Sequence, residues 1–232
     1  MSGTAQDAPA SSPSGGRSPW AAVLFDLDGT LADTVELILR CYRHTMEVHL
    51  GEAPPDERWL AGIGTPLRDQ LKGFARSPEE AARMAETYSV HQRAIHDDLV
   101  APFPGAAELL ASLRAAGVRV GVVTSKRSGM AVRTLERCGL AGAYDVLVGA
   151  DDVVRGKPDP EPVLLALDRL GLAAEAGRTL FVGDSPFDVR AGVSAGTRTA
   201  AALWGPFKRE ILEAEGPDYL VSRLDEVLAL RL

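Results

Sequence analysis

Four short polar clusters in this 232-residue chain carry the side chains best suited to chemistry. They are Asp26-Leu27-Asp28-Gly29-Thr30, Thr124-Ser125-Lys126, Gly156-Lys157-Pro158-Asp159-Pro160, and Gly183-Asp184 with Asp188 one helical turn on. Brought together, Asp26, Asp28, Asp184 and Asp188 would crowd several carboxylates into a small volume. Like charges that close do not all stay ionised without a partner. A hard cation is the obvious partner for oxygen ligands, and few carboxylates completed by phosphate and water suit Mg²⁺ better than Ca²⁺. Lys126 and Lys157 add compact positive charge; only four lysines stand against twenty-one arginines in the chain, so two of them at these clusters is not solubility decoration. Thr124, Ser125 and the amides of the 26–30 loop can donate to phosphate oxygens. The inventory is that of a cradle for a phosphoryl group.

Such side chains need a frame that brings distant segments to one edge. Ala21-Ala22-Val23-Leu24-Phe25 is a short continuous apolar run that stops at Asp26, the pattern of a strand buried on both faces. Val118–Val123, Val146–Val148, Thr179–Val182 and Thr199–Leu203 repeat the pattern. Between them lie helical patterns over Ala106–Ala116, Ala131–Cys138, Pro162–Leu170 and Asp188–Ala195, the first two stopping at Gly117 and Gly139, which suit a left-handed helix end. Strands alternating with helices predict an α/β fold: a Rossmann-like parallel sheet with helices on both faces. In such a sheet ligands bind beyond the carboxyl ends of the strands, where the clusters fall. Residues 33–100 break the alternation with helical stretches Val35–Leu50, Pro66–Phe74 and Pro78–His96, so a helical cap inserted after the first strand is expected. The expected organisation is a disordered tail over 1–19, a core of 20–32 and 101–232, and a cap of 33–100. The tail reading rests on its Ser, Pro, Gly and Ala content without periodicity.

Composition excludes several classes. With a net charge of −7 and no basic stripe, the sequence predicts no nucleic-acid partner. Two distant cysteines, Cys41 and Cys138, make neither a disulfide framework nor a zinc site. No apolar run approaches a membrane span and no secretory signal is visible, so no membrane partner and a cytoplasmic location are expected.

As an ordered set, the four clusters closely resemble the motifs of the haloacid dehalogenase superfamily, over essentially all of residues 20–232. His96-Asp97-Asp98-Leu99-Val100 with Phe103-Pro104-Gly105, and the run from Gly183 to Gly192, resemble phosphoglycolate phosphatases and related bacterial pyrophosphatases in particular. That resemblance implies an aspartyl-phosphate intermediate formed on Asp26. It implies that Asp28 protonates the leaving group and then activates water. It also implies that Thr124 and the Ser125 amide bind the phosphoryl group, that the Gly29–Thr30 loop assists, and that Lys157 stabilises charge. Mg²⁺ would sit on the Asp26 carboxylate, the Asp28 carbonyl and Asp184, with Asp188 direct or through water.

The resemblance implies a small phosphorylated metabolite as substrate, 2-phosphoglycolate first, with inorganic pyrophosphate next and a hexose-phosphate mutase after that. A non-catalytic binding protein on the same fold is the reading from another class. A monomer or homodimer is expected. Arg68 reads either as a clamp for a second anionic group of the substrate or as a surface arginine. Lys126 reads either as a phosphate ligand or as a solvated lysine at a helix start. His44, His49, His91 and His96 lack metal spacing and read as structural or exposed. Trp204 and Phe207 read as packing residues, and Lys208–Glu215 as a solvated helix.

Overall fold

The computed structural model describes residues 20–231, and the expected tail over 1–19 lies outside them. The five apolar runs, with one segment the sequence pattern does not announce (β8), form six parallel strands: β1 (Ala22–Phe25), β4 (Arg119–Val123), β5 (Val146–Val148), β6 (Thr179–Gly183), β7 (Arg198–Ala202) and β8 (Tyr219–Val221). Two further strands, β2 (Ala32–Asp33) and β3 (Ala101–Pro102), pair antiparallel outside this sheet. The main sheet runs β5-β4-β1-β6-β7-β8. Every residue of β1 and β6 is buried, as strands covered on both faces must be. β1 pairs on one side with β4 (Phe25 opposite Val122) and on the other with β6 (Phe25 opposite Val182). The chain order reverses direction across β1, so the end of β1 is a switch point where a crevice opens.

Helices α5 (Ala106–Ala115), α6 (Ser128–Arg137), α7 (Glu161–Arg169), α8 (Pro186–Ser194) and α9 (Arg209–Glu213) join these strands. Gly117 and Gly139 follow α5 and α6 at φ +76° and +70°, and the next residues, Val118 and Leu140, return N–H bonds to Leu113 and Leu135. α6 starts three residues earlier than its periodicity suggests. Its polar first residues touch a loop: the Ser128 amide and hydroxyl bond the Asp151 and Asp152 carboxylates.

Between β2 and β3 the chain forms α1 (Val35–Leu50), α2 (Asp56–Leu60), α3 (Leu67–Lys72) and α4 (Pro78–Leu99). The Ser77 side chain accepts the Glu80 N–H at the start of α4, and Pro78 occupies its first position. Tyr42 stacks on Trp59 at 4.8 Å between ring centres and Trp59 on Tyr88 at 5.9 Å, tying α1, α2 and α4 together. Aromatic pairs of this kind add about 0.5–1.5 kcal/mol each beyond their buried area. Leu212 of α9 is fully buried, so the expected solvated helix has an anchored face. Among the described residues no helix is long and apolar enough to cross a membrane.

Candidate active site

The parallel register sets the chemistry in place. Asp26 is the first residue beyond β1, Thr124 the first beyond β4 and Asp184 the first beyond β6, so all three emerge at one edge of neighbouring strands. Lys157 comes from the loop before α7, and Asp188 from the first turn of α8. Asp26, Asp184, Asp188 and Lys157 are all at most 3% exposed.

Carboxylate oxygens of Asp26, Asp184 and Asp188 lie within 4.8 Å of one another. Lys157 Nζ stands 2.9 Å from Asp26 Oδ1 and 2.5 Å from Asp188 Oδ1. One ammonium does not balance three buried carboxylates. Burial pushes the Asp26 carboxyl up to about 7, Lys157 opposing and the charges of Asp188 and Asp28 adding to it. Burial, with the charges of Asp26 and Asp188, also holds Asp184 well above its ordinary value. Burial works against the Lys157 charge, but Asp188 and Asp26 outweigh it and raise its pKa.

Among the described residues, two oxygens in this cluster are orphans. Asp26 Oδ1 has its ion pair with Lys157 but no aligned hydrogen-bond donor, and Asp184 Oδ2 has none either. Buried oxygens of this kind cost free energy unless a donor or a cation reaches them. The residues therefore fit a small divalent cation on Asp26 and Asp184. The oxygens of Asp188 are already engaged: Oδ1 by Lys157, and Oδ2 by the Ser185 N–H at 3.1 Å and hydroxyl at 2.5 Å. The Ser185 N–H bond, with the Asp188 N–H donating in return to Ser185 Oγ at 3.3 Å, forms a capping box at the start of α8, and Ser185-x-x-Asp188 is a legible signature of it that the sequence reading passed over.

Asp184 is positioned by the loop after β1. The Thr30 hydroxyl, wholly buried, donates to Asp184 Oδ1 at 2.8 Å, so it anchors a carboxylate and does not face a phosphate. Gly29 has φ +84°, and a Cβ there would lie 2.4 Å from Asp184 Oδ2. Only glycine gives both the backbone conformation and the room. The Trp204 indole holds the loop from outside by donating to the Thr30 carbonyl at 3.1 Å.

The other expected site residues divide. Thr124 is 3% exposed, and its Oγ1 accepts the Lys126 N–H at 3.1 Å, which leaves its hydroxyl proton free to donate. The Ser125 hydroxyl donates to the Gly64 carbonyl at 2.6 Å and joins the insertion to the sheet edge. The Asp28 carboxylate stands apart from the acid cluster; its Oδ1 accepts from Lys126 Nζ at 2.6 Å and from the Thr34 hydroxyl at 2.7 Å. Lys126 is thus not solvated: its side chain is 6% exposed and bound to Asp28. Thr34 escaped the sequence reading, since a threonine six residues after Asp28 carries no signal of its own. Arg68 is exposed on α3 and is not among the residues that line the cleft between the insertion and the sheet edge.

That cleft, about 810 Å³, opens between Gly62, Thr65, Pro66 and Gln70 of the insertion and Lys157 and Phe187 of the sheet edge. Residues 23–202 match the family described as haloacid dehalogenase-like hydrolase. The chain belongs to that family. It is an enzyme, a hydrolase of the haloacid dehalogenase phosphatase type. It is 38% identical over 207 residues to a protein named pyrophosphatase PpaX from Bacillus velezensis, covering 89% of this chain and 94% of that one. A second pyrophosphatase PpaX, from Halalkalibacterium halodurans, is 36% identical over 206 residues, again 89% of this chain and 94% of the other. Among solved structures, a hydrolase from Pseudomonas syringae superposes with a TM-score of 0.83 at 24% identity, over 91% of this chain and all of that one. At that identity the likeness speaks for the fold of this haloacid dehalogenase-like chain.

Proposed function

We propose that the chain hydrolyses a small phosphate compound with Asp26 as nucleophile, and that inorganic pyrophosphate is preferred over 2-phosphoglycolate. The observation that carries the reading is the buried Asp26 carboxylate at the end of β1, beside Lys157 and Asp184, with an oxygen that has no aligned hydrogen-bond donor among the described residues. Asp26 attacks phosphorus in line, forming an aspartyl-phosphate and releasing the leaving group, and water then hydrolyses that intermediate. Asp28 gives its proton to the departing oxygen and takes one from the attacking water. The Thr124 hydroxyl and the Ser125 amide orient the phosphoryl oxygens, and Lys157 offsets charge on them and on the nucleophile. Mg²⁺ would be held by the Asp26 and Asp184 carboxylates and the Asp28 carbonyl, with Asp188 beside them. When bound, it would supply positive charge against the nucleophile and the transferring group.

Residues 33–100 act in this reading as a cap on a core of 20–32 and 101–232. The Ser125–Gly64 bond and the cleft between the two parts support it, and a cap limits access to small phosphorylated molecules. Two considerations move pyrophosphate ahead of 2-phosphoglycolate. Relatives covering nine-tenths of this chain carry the name pyrophosphatase, and the arginine suggested as a carboxylate clamp, Arg68, is exposed. The experiment is kcat/KM for pyrophosphate, 2-phosphoglycolate and p-nitrophenyl phosphate, with Mg²⁺ and with EDTA. Preference for pyrophosphate, lost with EDTA, is the expected result. Preference for 2-phosphoglycolate would reverse the substrate order and keep the mechanism. No turnover with metal present would sink the mechanism and favour a binding protein.

A further inference from the structure

The grip on Asp28 does not end at Lys126. Lys126 Nζ also donates to Thr134 Oγ1 of α6 at 3.2 Å. Thr134 Oγ1 lies 2.9 Å from His96 Nε2, and His96 Nδ1 lies 2.7 Å from Asp97 Oδ1. Arg133 closes the chain at the surface, reaching Asp97 through Nε at 3.0 Å and Nη2 at 2.8 Å. His96 and Thr134 are wholly buried. His96 and Asp97 belong to the last turn of α4, the final helix of the insertion, whereas Arg133 and Thr134 belong to α6 of the sheet layer. A continuous polar path therefore runs from the insertion to the carboxylate of Asp28.

The protons along this path are fixed by counting. Burial, aided by the charges of Lys126 and Arg133 and opposed by Asp97, holds His96 below its ordinary value, so the ring is neutral at neutral pH. A neutral ring that donates from Nδ1 to Asp97 has only a lone pair at Nε2. Thr134 has one hydroxyl proton and two candidate acceptors, His96 Nε2 and the Met130 carbonyl at 2.9 Å. Given to Nε2, it prevents two lone pairs from facing each other and turns the hydroxyl lone pairs toward Lys126. Lys126 and Thr34 then both load Asp28 Oδ1, while Oδ2 takes no donor among the described residues and is the oxygen left to carry a proton.

We propose that His96, Thr134 and Lys126 are positioning residues that fix the Asp28 carboxylate for proton transfer to the leaving group, with His96 tying the last helix of the insertion to that carboxylate. The inference rests on the acid–base reading of Asp28 given above. A buried histidine that merely satisfied its own ring would give the same stability, but it would not affect leaving groups differently. Misplacing a catalytic group costs rate only where that group's proton is needed.

The test compares 2-phosphoglycolate, whose alkoxide must be protonated on departure, with p-nitrophenyl phosphate, whose leaving group needs little help. Lys126→Met and the near-isosteric Thr134→Val are expected to lower kcat on 2-phosphoglycolate by about 10- to 100-fold. On p-nitrophenyl phosphate the fall should be far smaller, with KM unchanged for both. His96→Gln, which keeps a polar group near Nε2, should retain more of the 2-phosphoglycolate rate than His96→Leu. Equal losses on both substrates in Lys126→Met and Thr134→Val would overturn the proposal. So would a raised KM for both in Lys126→Met, which would return Lys126 to phosphate binding. Asp28→Asn run alongside separates the failures. If it discriminates between the substrates and the other variants do not, this inference alone falls; if it does not, the acid–base reading falls and takes the inference with it.

Discussion

Lys157 Nζ lies 2.9 Å from Asp26 Oδ1, with both side chains closed to solvent. The same ammonium is the only cation within 3 Å of Asp188 among the described residues, so a single lysine holds the nucleophile and the first turn of α8 together. Removing it leaves three buried carboxylates with no counter-charge. Breaking one partner out of a buried ion pair typically costs about 3–5 kcal/mol. Lys157→Met should lower the melting temperature of the metal-free protein and abolish turnover with Mg²⁺ present. Thermal melts and a p-nitrophenyl phosphate assay check this; a variant as stable and active as the parent would remove Lys157 from both roles.

The raised carboxyl of Asp26 sets a pH dependence with a definite sign. Its folded value is about 7 against an ordinary 3.8, because burial disfavours the charge. Between those values the folded protein keeps a proton that the unfolded chain has released, so unfolding is opposed most at low pH. This contribution is fully present below pH 3.8 and is lost as pH rises through about 7. Metal-free protein should therefore melt lower at pH 8 than at pH 5.5, and the gain in melting temperature from Mg²⁺ should be larger at pH 8. Asp26→Asn should flatten the metal-free profile. A wild-type profile no steeper than that of Asp26→Asn would contradict the assignment.

Gly29 is the tightest point around Asp184. Placing a Cβ at φ +84° costs roughly 1–2 kcal/mol for a residue with a side chain. That Cβ would also meet Asp184 Oδ2 at 2.4 Å, so the carboxylate has to move. Gly29→Ala should keep the fold, bind Mg²⁺ more weakly by calorimetry and lose kcat in step. Unchanged Mg²⁺ affinity would show that Asp184 Oδ2 is not a ligand atom.

Most of this frame was legible because it is carried by strong local patterns. The apolar run into Asp26, the repeated runs at β4, β5, β6 and β7, and the period of α1 all survive in the fold, α1 with the same ends. What stayed hidden is either short or made by tertiary contact. α2 has five residues, too few for a helical period to emerge, and β8, no longer than β5, has two of its three residues only half-buried at the sheet edge. β2 and β3 have two residues each and exist only because they pair with each other. Among the site residues, the motifs placed Asp26, Lys157 and Asp184 at one edge. Asp28 and Lys126, bonded to each other, meet Thr34 and Thr134 respectively, with His96 behind Thr134, and no spacing in the chain announces that these meet.

Arg68 separates two kinds of substrate recognition. A clamp for the carboxylate of 2-phosphoglycolate would need a guanidinium held toward Asp26, yet Arg68 is exposed and has no partner among the described residues. Its neighbour Asp69 does line the cleft, bonded to Lys72 at 2.6 Å, so this face of α3 brings a carboxylate toward the opening and not an arginine. Arg68→Ala should therefore change kcat/KM by less than about twofold for pyrophosphate and 2-phosphoglycolate alike, as expected of an exposed side chain without partners among the described residues. Steady-state kinetics on both substrates decide it. A rise in KM confined to 2-phosphoglycolate would mean that the insertion closes far enough during turnover to carry Arg68 onto the substrate, and 2-phosphoglycolate would regain first place.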